Sequence, residues 1–422
     1  MANCKYTFTS PAGEKFENVE SLSDFCFVHS LDKKRMSSER KNQGWTVDYT
    51  IKSKTIQKEM KKSGLTSDEQ VIRLSDQNTK LKQELTDSKR SSGLFKELAS
   101  IIENTKPIDY IPELRINKKS SKSEESAILL LSDSHADQQI LPQRVNNLES
   151  YNFNTFCKRC EKIVETTISH LTENMSTFSY KTLYIFSLGD LISGTIHGAK
   201  EHSEWKNSIK SSINTGEVFA RMISDLSVHF QKIVFVAVNG NHGKYGFKKN
   251  YRESLENWDY LVATQIKTRL KNLIDAGRVD VEIPDSWSAL VKIYDYNCLL
   301  MHGDDFKGGS AGLPHYAIQR KTYRLISLGA ITNTLPHYTF LGHFHSSGAL
   351  SNTIGKTFIN GAMPATDDFA YNSLSAYSEP SQTLLGFHPK YGVTWNLDIK
   401  LRDPKTWMVD EKKISKYNCD LF

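Results

Sequence analysis

No apolar run in the 422-residue chain approaches the roughly 18 residues of a membrane span, so no membrane association is expected. The segment from Met1 to Tyr6 lacks the basic-then-apolar pattern of a secretory signal, and a cytoplasmic protein is the expectation. Cysteine is scarce and scattered: Cys4, Cys26, Cys157, Cys160, Cys298 and Cys419 have none of the dense, regular spacing of a disulfide framework. Reduced thiols follow. Cys157 and Cys160 have the spacing of half a zinc knuckle, but no second pair follows them and they lie in a helix-like segment, so half-buried helix cysteines are expected.

Excess charge is also missing from most of the chain. Residues 123–422 balance at 31 Lys+Arg against 31 Asp+Glu, whereas residues 1–122 carry 23 against 17, which is the whole net +6. Clusters at Lys33-Lys34-Arg35, Arg40-Lys41, Lys52 to Lys62 and Lys118-Lys119 would attract a polyanion, so nucleic acid, DNA more than RNA, is the partner expected. A hydrated basic surface explains the same pattern.

The chain is longer than one hydrophobic core usually grows, and its 38% apolar and 24% charged residues suit a large main domain with a smaller appendage. Residues 1–62 mix short apolar stretches with basic helix-like segments and are read as a small α-rich domain. Residues 63–122 read as a helical connector and linker. Thr66 and Glu69 form a capping box, and Val71, Leu74, Asn78, Leu81 and Leu85 follow at a/d spacing, so residues 66–90 suit a short dimeric coiled coil as well as a helix packed on its own domain. Gly93, Pro107 and Pro112 interrupt that pattern, and the polar run 117–126 reads as an exposed linker.

The main domain is placed at 123–422. Ala127 to Leu131 is wholly apolar, as a strand buried on both faces would be. Helix-like segments near 153–175, 209–230 and 250–275 then alternate with strand-like runs at Thr182 to Leu188 and Ile233 to Val238. Further strand-like runs follow at Ala289 to Tyr294, Cys298 to Met301, Tyr338 to Leu341 and Lys356 to Ile359, with a helix from Tyr316 to Leu328. Such alternation predicts an α/β fold.

Five of the runs end in residues that a core does not want: Asp133-Ser134-His135, Gly189-Asp190, Gly240-Asn241-His242, His302-Gly303 and Gly342-His343-Phe344-His345. Strand C-termini beside glycines are where α/β folds place their sites. Carboxylate, imidazole and amide oxygen together suit borderline divalent cations, and no motif thiol points to a structural zinc site. Two cations roughly 3.5–4 Å apart are the arrangement that both activates water and clamps a transferring phosphoryl group.

In this ordered set the sequence resembles the calcineurin-like metallophosphoesterases, whose pattern is D-x-H, G-D, G-N-H-(D/E), H and G-H-x-H. The resemblance covers about Ile128 to His345. It implies a four-layer α/β/β/α sandwich of two mixed sheets flanked by helices. It further implies two divalent metals, Mn²⁺ foremost with Fe, Zn or Ni as alternatives. Asp133, His135, Asp190 and His345 would bind one metal, and Asp190, Asn241, His302 and His343 the other, with Asp190 bridging. His242 would face the substrate as general acid or charge stabiliser. The sequence departs from the pattern at Gly243, where an acidic residue usually follows the Asn-His pair, so whatever orients His242 must come from elsewhere.

Near the motifs, His197, Lys200, His202 and Lys244 read as polar loop residues that could touch a phosphate. The run Gly189 to Gly194 lacks the D-R-G of protein Ser/Thr phosphatases, and Ser193 stands where purple acid phosphatases carry a ligating Tyr. A phosphodiesterase or nuclease, similar to a phage-type relative of the double-strand-break-repair nucleases, is therefore the leading expectation. The alternatives are a hydrolase of small nucleotides or phosphomonoesters, and a non-catalytic accessory subunit of a DNA-processing complex.

Overall fold

The computed structural model describes residues 4–12, 14–19, 41–42, 45–51, 76–80, 82, 93–109, 111–115, 123–196, 202–245, 249, 251–306, 313–402 and 414–421. The chain divides into two compact units, Met1–Asp87 and Ser88–Phe422.

The described part of the first unit contains a four-stranded antiparallel sheet, β1 (Cys4–Thr9), β2 (Lys15–Val19), β3 (Lys41–Asn42) and β4 (Trp45–Ile51), in the order β2-β1-β4-β3. Among the described residues of 1–62 the structure is thus β rather than the helix expected, while 20–40 and 52–62 lie outside the described residues. Tyr6 to Thr9 and Trp45 to Ile51 alternate aromatic or aliphatic residues with Thr and Asp, a period-2 pattern rich in β-branched and aromatic side chains, and Phe8 is fully buried. Of the proposed coiled-coil stripe, Asn78 lies on an exposed helical turn, and Val71, Leu74, Leu81 and Leu85 fall outside the described residues, as do Thr66 and Glu69.

The first element among the described residues of the second unit is a helix, α1, described over 93–103, whose Phe95, Ala99 and Ile102 enter the main core. Gly93 lies in this helix rather than breaking one. The central sheet has six strands in the order β15-β14-β5-β6-β7-β8. Within it β5 (Ser123–Leu131), β6 (Phe178–Ser187), β7 (Lys232–Ala237) and β8 (Val279–Glu282) are parallel. The helices α2 (Phe153–Ser169), α3 (Ser208–Leu226), and α4 (Trp258–Arg269) with α5 (Lys271–Asp275) make the crossovers. A hairpin, β14 (Ser381–His388) and β15 (Gly392–Lys400), runs antiparallel to β5.

A second sheet of β9 (Ser288–Ile293), β10 (Tyr296–Met301), β11 (Tyr338–Leu341), β12 (Gly348–Ser351) and β13 (Lys356–Ile359) has the order β12-β13-β11-β10-β9. Between β10 and β11 runs α6 (His315–Thr332), and after β13 comes a short α7 (Asp368–Leu374).

The wholly apolar β5 is explained by what lies on its two faces. Ala127, Leu129 and Leu131 pack among the helices, while Ile128 and Leu130 join Phe186, Val236, Leu300, Phe340 and Phe358 between the sheets. Phe340 stacks on Phe358 at 5.7 Å and meets Phe186 edge-on at 5.3 Å, so aromatic contacts join the two inner faces. On the far side of the second sheet, Ile318 and Leu325 of α6 cover Leu341 and Ile359. The layers are thus helices, sheet, sheet and helix, the α/β/β/α sandwich expected.

Cys157 and Cys160 are buried free thiols on α2, and burial pushes both thiols up, which suits core packing rather than a zinc knuckle. No helix among the described residues is long and apolar enough to cross a membrane.

Candidate metal centre

Because β5, β6 and β7 run parallel, as do β10 and β11, their C-terminal ends open at one end of the sandwich, and each is followed at once by a motif loop. The chain must turn sharply there. Asp133 (φ 50°), His135 (40°), Asp190 (55°), His343 (71°) and His345 (56°) all adopt the left-handed region. Each such residue costs of the order of 1–3 kcal/mol, strain that clusters where function over-determines the backbone. Glycine is needed between the loops as well: a Cβ on Gly240 would lie 2.1 Å from Oδ1 of Asp190.

The loops gather donor atoms into groups that lie within 4.8 Å of one another: Asp133, His135 and His345; Asp190, His302 and His343; and His135, Asp190 and His242. Nε2 of His135 is 3.2 Å from Nε2 of His345, which lies 3.4 Å from Oδ1 of Asp133. Across the centre, Nε2 of His302 is 2.9 Å from both Oδ2 of Asp190 and Oδ1 of Asn241. Nδ1 of His302 donates to the Leu188 carbonyl at 2.7 Å, the backbone bond that fixes a ligating imidazole with Nε2 inward. All seven expected metal ligands are therefore brought together, with Asp190 touching both sides.

The charge states suit a cation. Burial and the neighbouring His242 and His345 press His135 down to about 3, and burial and His302 press His343 to about 4, so both present lone pairs at neutral pH. Asp133 and Asp190 stay anionic: burial opposes their charge, but the imidazoles around them outweigh it. Burial also works against a charged His302, yet the Asp190 carboxylate raises it to about 10. The donors thus fit two adjoining divalent cations, with carboxylates and imidazoles on each side and an amide oxygen from Asn241.

His242 is half-buried beside this cluster. Its backbone N–H donates to Oδ1 of Asp190 at 2.7 Å, and its ring packs edge-on to His135 at 4.7 Å. Nδ1 lies 3.1 Å from the Ser193 carbonyl oxygen. A backbone carbonyl, rather than a carboxylate, orients the ring, which answers the question raised by Gly243. Asp137 fixes that carbonyl's loop by accepting from Ser193 N at 2.7 Å and from the hydroxyls of Ser203 and Ser211 at 2.8 and 2.7 Å.

Several supporting residues carry no motif signal. Asp367 caps α7 by accepting from Ala370 N at 2.7 Å and also accepts from Gln138 Nε2 at 3.1 Å, two hydrogen bonds that hold its carboxyl low against burial. Lys249 joins the loop after His242 to the loop after His302 by bonds of 2.8 Å to Asp304 and 3.0 Å to Asp305, over the ring of Trp287. Their partners lie far away in sequence, so only the fold reveals them. Of the loop residues singled out earlier, His202 is exposed with Nδ1 3.5 Å from Arg144, and Lys244 is half-buried in a bridge to Asn257. His197 and Lys200 lie outside the described residues.

No protein-family model and no curated protein matches the chain. Solved structures similar to it include Vacuolar Protein Sorting 29 from Cryptosporidium parvum (11% identity, TM-score 0.28, covering 63% of this chain and 86% of that one). A novel archaeal phosphodiesterase is similar at 12% identity and TM-score 0.30, over 64% of this chain and all but 1% of the other, which is covered to 99%. YfcE, a phosphoesterase from E. coli, is similar at 13% identity and TM-score 0.27, over 65% and 100%.

Proposed function

We propose that the chain is a metal-dependent phosphoesterase of the calcineurin-like type, a hydrolase of phosphodiesters in nucleic acid. The observation that carries the chemistry is the sharing of Asp190 between two adjoining ligand groups. Asp133, His135, Asp190 and His345 would hold one divalent cation, and Asp190, Asn241, His302 and His343 the second. Mn²⁺ is the cation proposed. When bound, the pair supplies positive charge opposite the phosphoryl oxygens and a nucleophile at neutral pH.

The chain's own residues do the rest. Left-handed turns at five ligands fix the direction of each donor before substrate arrives. His242, with Nδ1 committed to the Ser193 carbonyl, keeps Nε2 for the phosphate or the leaving oxygen. The neutral state of His135 and His343 leaves no proton for an incoming cation to displace there.

Nucleic acid as substrate is supported by the basic excess ahead of residue 123. The test is hydrolysis by the purified protein with Mn²⁺ of single-stranded DNA, duplex DNA, RNA and bis(p-nitrophenyl) phosphate, with and without EDTA. Cleavage of the small diester but of no polymer would move the assignment to small nucleotides, and inactivity on all four with cations bound would favour an accessory role.

A further inference from the structure

Gly243 leaves room that two later residues occupy. A Cβ built at 243 would lie 1.9 Å from Oδ1 of Asn257 and 3.1 Å from Cγ of Asp259. Asp259 stands in the first turn of α4, where a carboxylate ordinarily serves its own helix. Here it does not. Its Oδ2 accepts from the backbone N–H of Asp190 at 2.9 Å and of Gly240 at 2.9 Å, and its Oδ1 accepts from Leu191 N at 3.0 Å. The three donors belong to two separate motif loops, and Asp259 is 1% exposed.

Its neighbours tighten the same joint. Asn257 Nδ2 donates to the Gly240 carbonyl at 2.9 Å, Trp258 N donates to the Gly243 carbonyl at 2.7 Å, and Asn257 Oδ1 caps Asp259 N at 2.8 Å. The strap 257–259 therefore grips the loop of Asn241 and His242, while Asp259 alone reaches across to the loop of Asp190.

We infer that Asp259 is the positioning residue of the two-cation centre, a buried carboxylate that sets the spacing between the bridging Asp190 and the Asn241–His242 loop. It does so from the space that a side chain at 243 would fill. A carboxylate beside the space at 243 thus comes from sixteen residues later in the chain, at the start of the next helix, and it holds the loop backbones while the Ser193 carbonyl orients the His242 ring. Removing one of its oxygens leaves a buried N–H without an acceptor and frees one loop to shift against the other. Asp259 touches no substrate. Its effect reaches the reaction through the ligands it holds.

This inference rests on the two-cation reading, and the test separates the two. Full-length protein, Asp259→Asn and Gly243→Ala are loaded with Mn²⁺ and compared by electron paramagnetic resonance, metal content and steady-state hydrolysis of bis(p-nitrophenyl) phosphate. Wild type should show the spectrum of an exchange-coupled Mn²⁺ pair. In Asp259→Asn the coupling should weaken or give way to isolated Mn²⁺, and kcat should fall about a hundredfold with KM nearly unchanged, the scale of an ångström-sized misplacement. A merely structural carboxylate would lower thermal stability without altering the coupling. Gly243→Ala keeps Asp259 but drives the strap aside, so it should weaken the coupling too, and it decides the matter if Asp259→Asn does not fold. Wild-type coupling and kcat in a folded Asp259→Asn protein, or in Gly243→Ala should the other not fold, overturn the role of Asp259. A wild-type protein without a coupled pair removes the two-cation reading itself.

Discussion

Nδ1 of His242 lies 3.1 Å from the carbonyl oxygen of Ser193, in a site where Asp190 accepts the backbone N–H of the same histidine at 2.7 Å. The ring is held by main chain on one side and its backbone by the Asp190 carboxylate on the other. His242→Asn should therefore keep its cations and lose about a hundredfold or more in rate, the usual scale for a lost general acid. Esters with a good leaving group need less protonation and should lose less. Metal analysis alongside the kinetics checks this, and a variant that sheds its cations would show His242 to be a ligand instead.

A second expectation concerns pH. His302 is raised from 6.5 to about 10, burial opposing the charge and Asp190 more than restoring it. A folded pKa above the unfolded one gives stability that is complete below the unfolded value, here pH 6.5, and is lost as pH rises through the folded value. EDTA-stripped protein should accordingly fall in Tm from about pH 7 to 10, on the linkage argument. Cation binding at pH 8 must release the His302 proton, so calorimetry in buffers of different ionisation enthalpy should register close to one proton from this residue. A Tm that is flat across that range, or binding without proton release, would contradict the assignment.

The third expectation concerns the basic segments, and the fold revises where to cut. Phe95, Ala99 and Ile102 are core residues of the second unit, so a protein starting at Ser123 would expose that core. Starting at Ser88 respects the division. Residues 1–87 carry 15 Lys+Arg against 13 Asp+Glu and residues 88–122 carry 8 against 4, so most of the excess remains after that cut. If the charge recruits nucleic acid, neutralising Lys118, Lys119 and Lys122 should weaken binding and flatten its salt dependence by up to about three counterions, while small-diester hydrolysis is unchanged. Binding isotherms at two salt concentrations decide it, and equal affinities would sink the recruiting role.

The site was far more legible in the sequence than the framework behind it. The candidate ligands sit in short motifs because each loop supplies its donors within a few residues of a strand end, and that spacing is written locally. Asp259, Asp137 and Lys249 act on loops tens of residues away, and a lone Asp or Lys there looks like any polar residue. The parallel strands were legible where burial on both faces made an apolar run, as at Ala127 to Leu131. The β14–β15 hairpin is written more faintly, in the alternation of Val393, Trp395, Leu397 and Ile399 after the turn at Pro389 to Tyr391. The N-terminal strands are less legible because basic residues surround their period-2 runs and give the segment the look of exposed helix.

The most direct measurement is the number of Mn²⁺ ions bound per chain, by metal analysis after gel filtration, in wild type and in Asp190→Ala. Two ions per wild-type chain are expected. Asp190 groups with His135 on one side and with His302 and His343 on the other, so Asp190→Ala should weaken both proposed sites together and reduce hydrolysis to background. Wild-type protein that binds a single ion, or an Asp190→Ala protein that keeps two ions and full turnover, would contradict the shared-carboxylate centre.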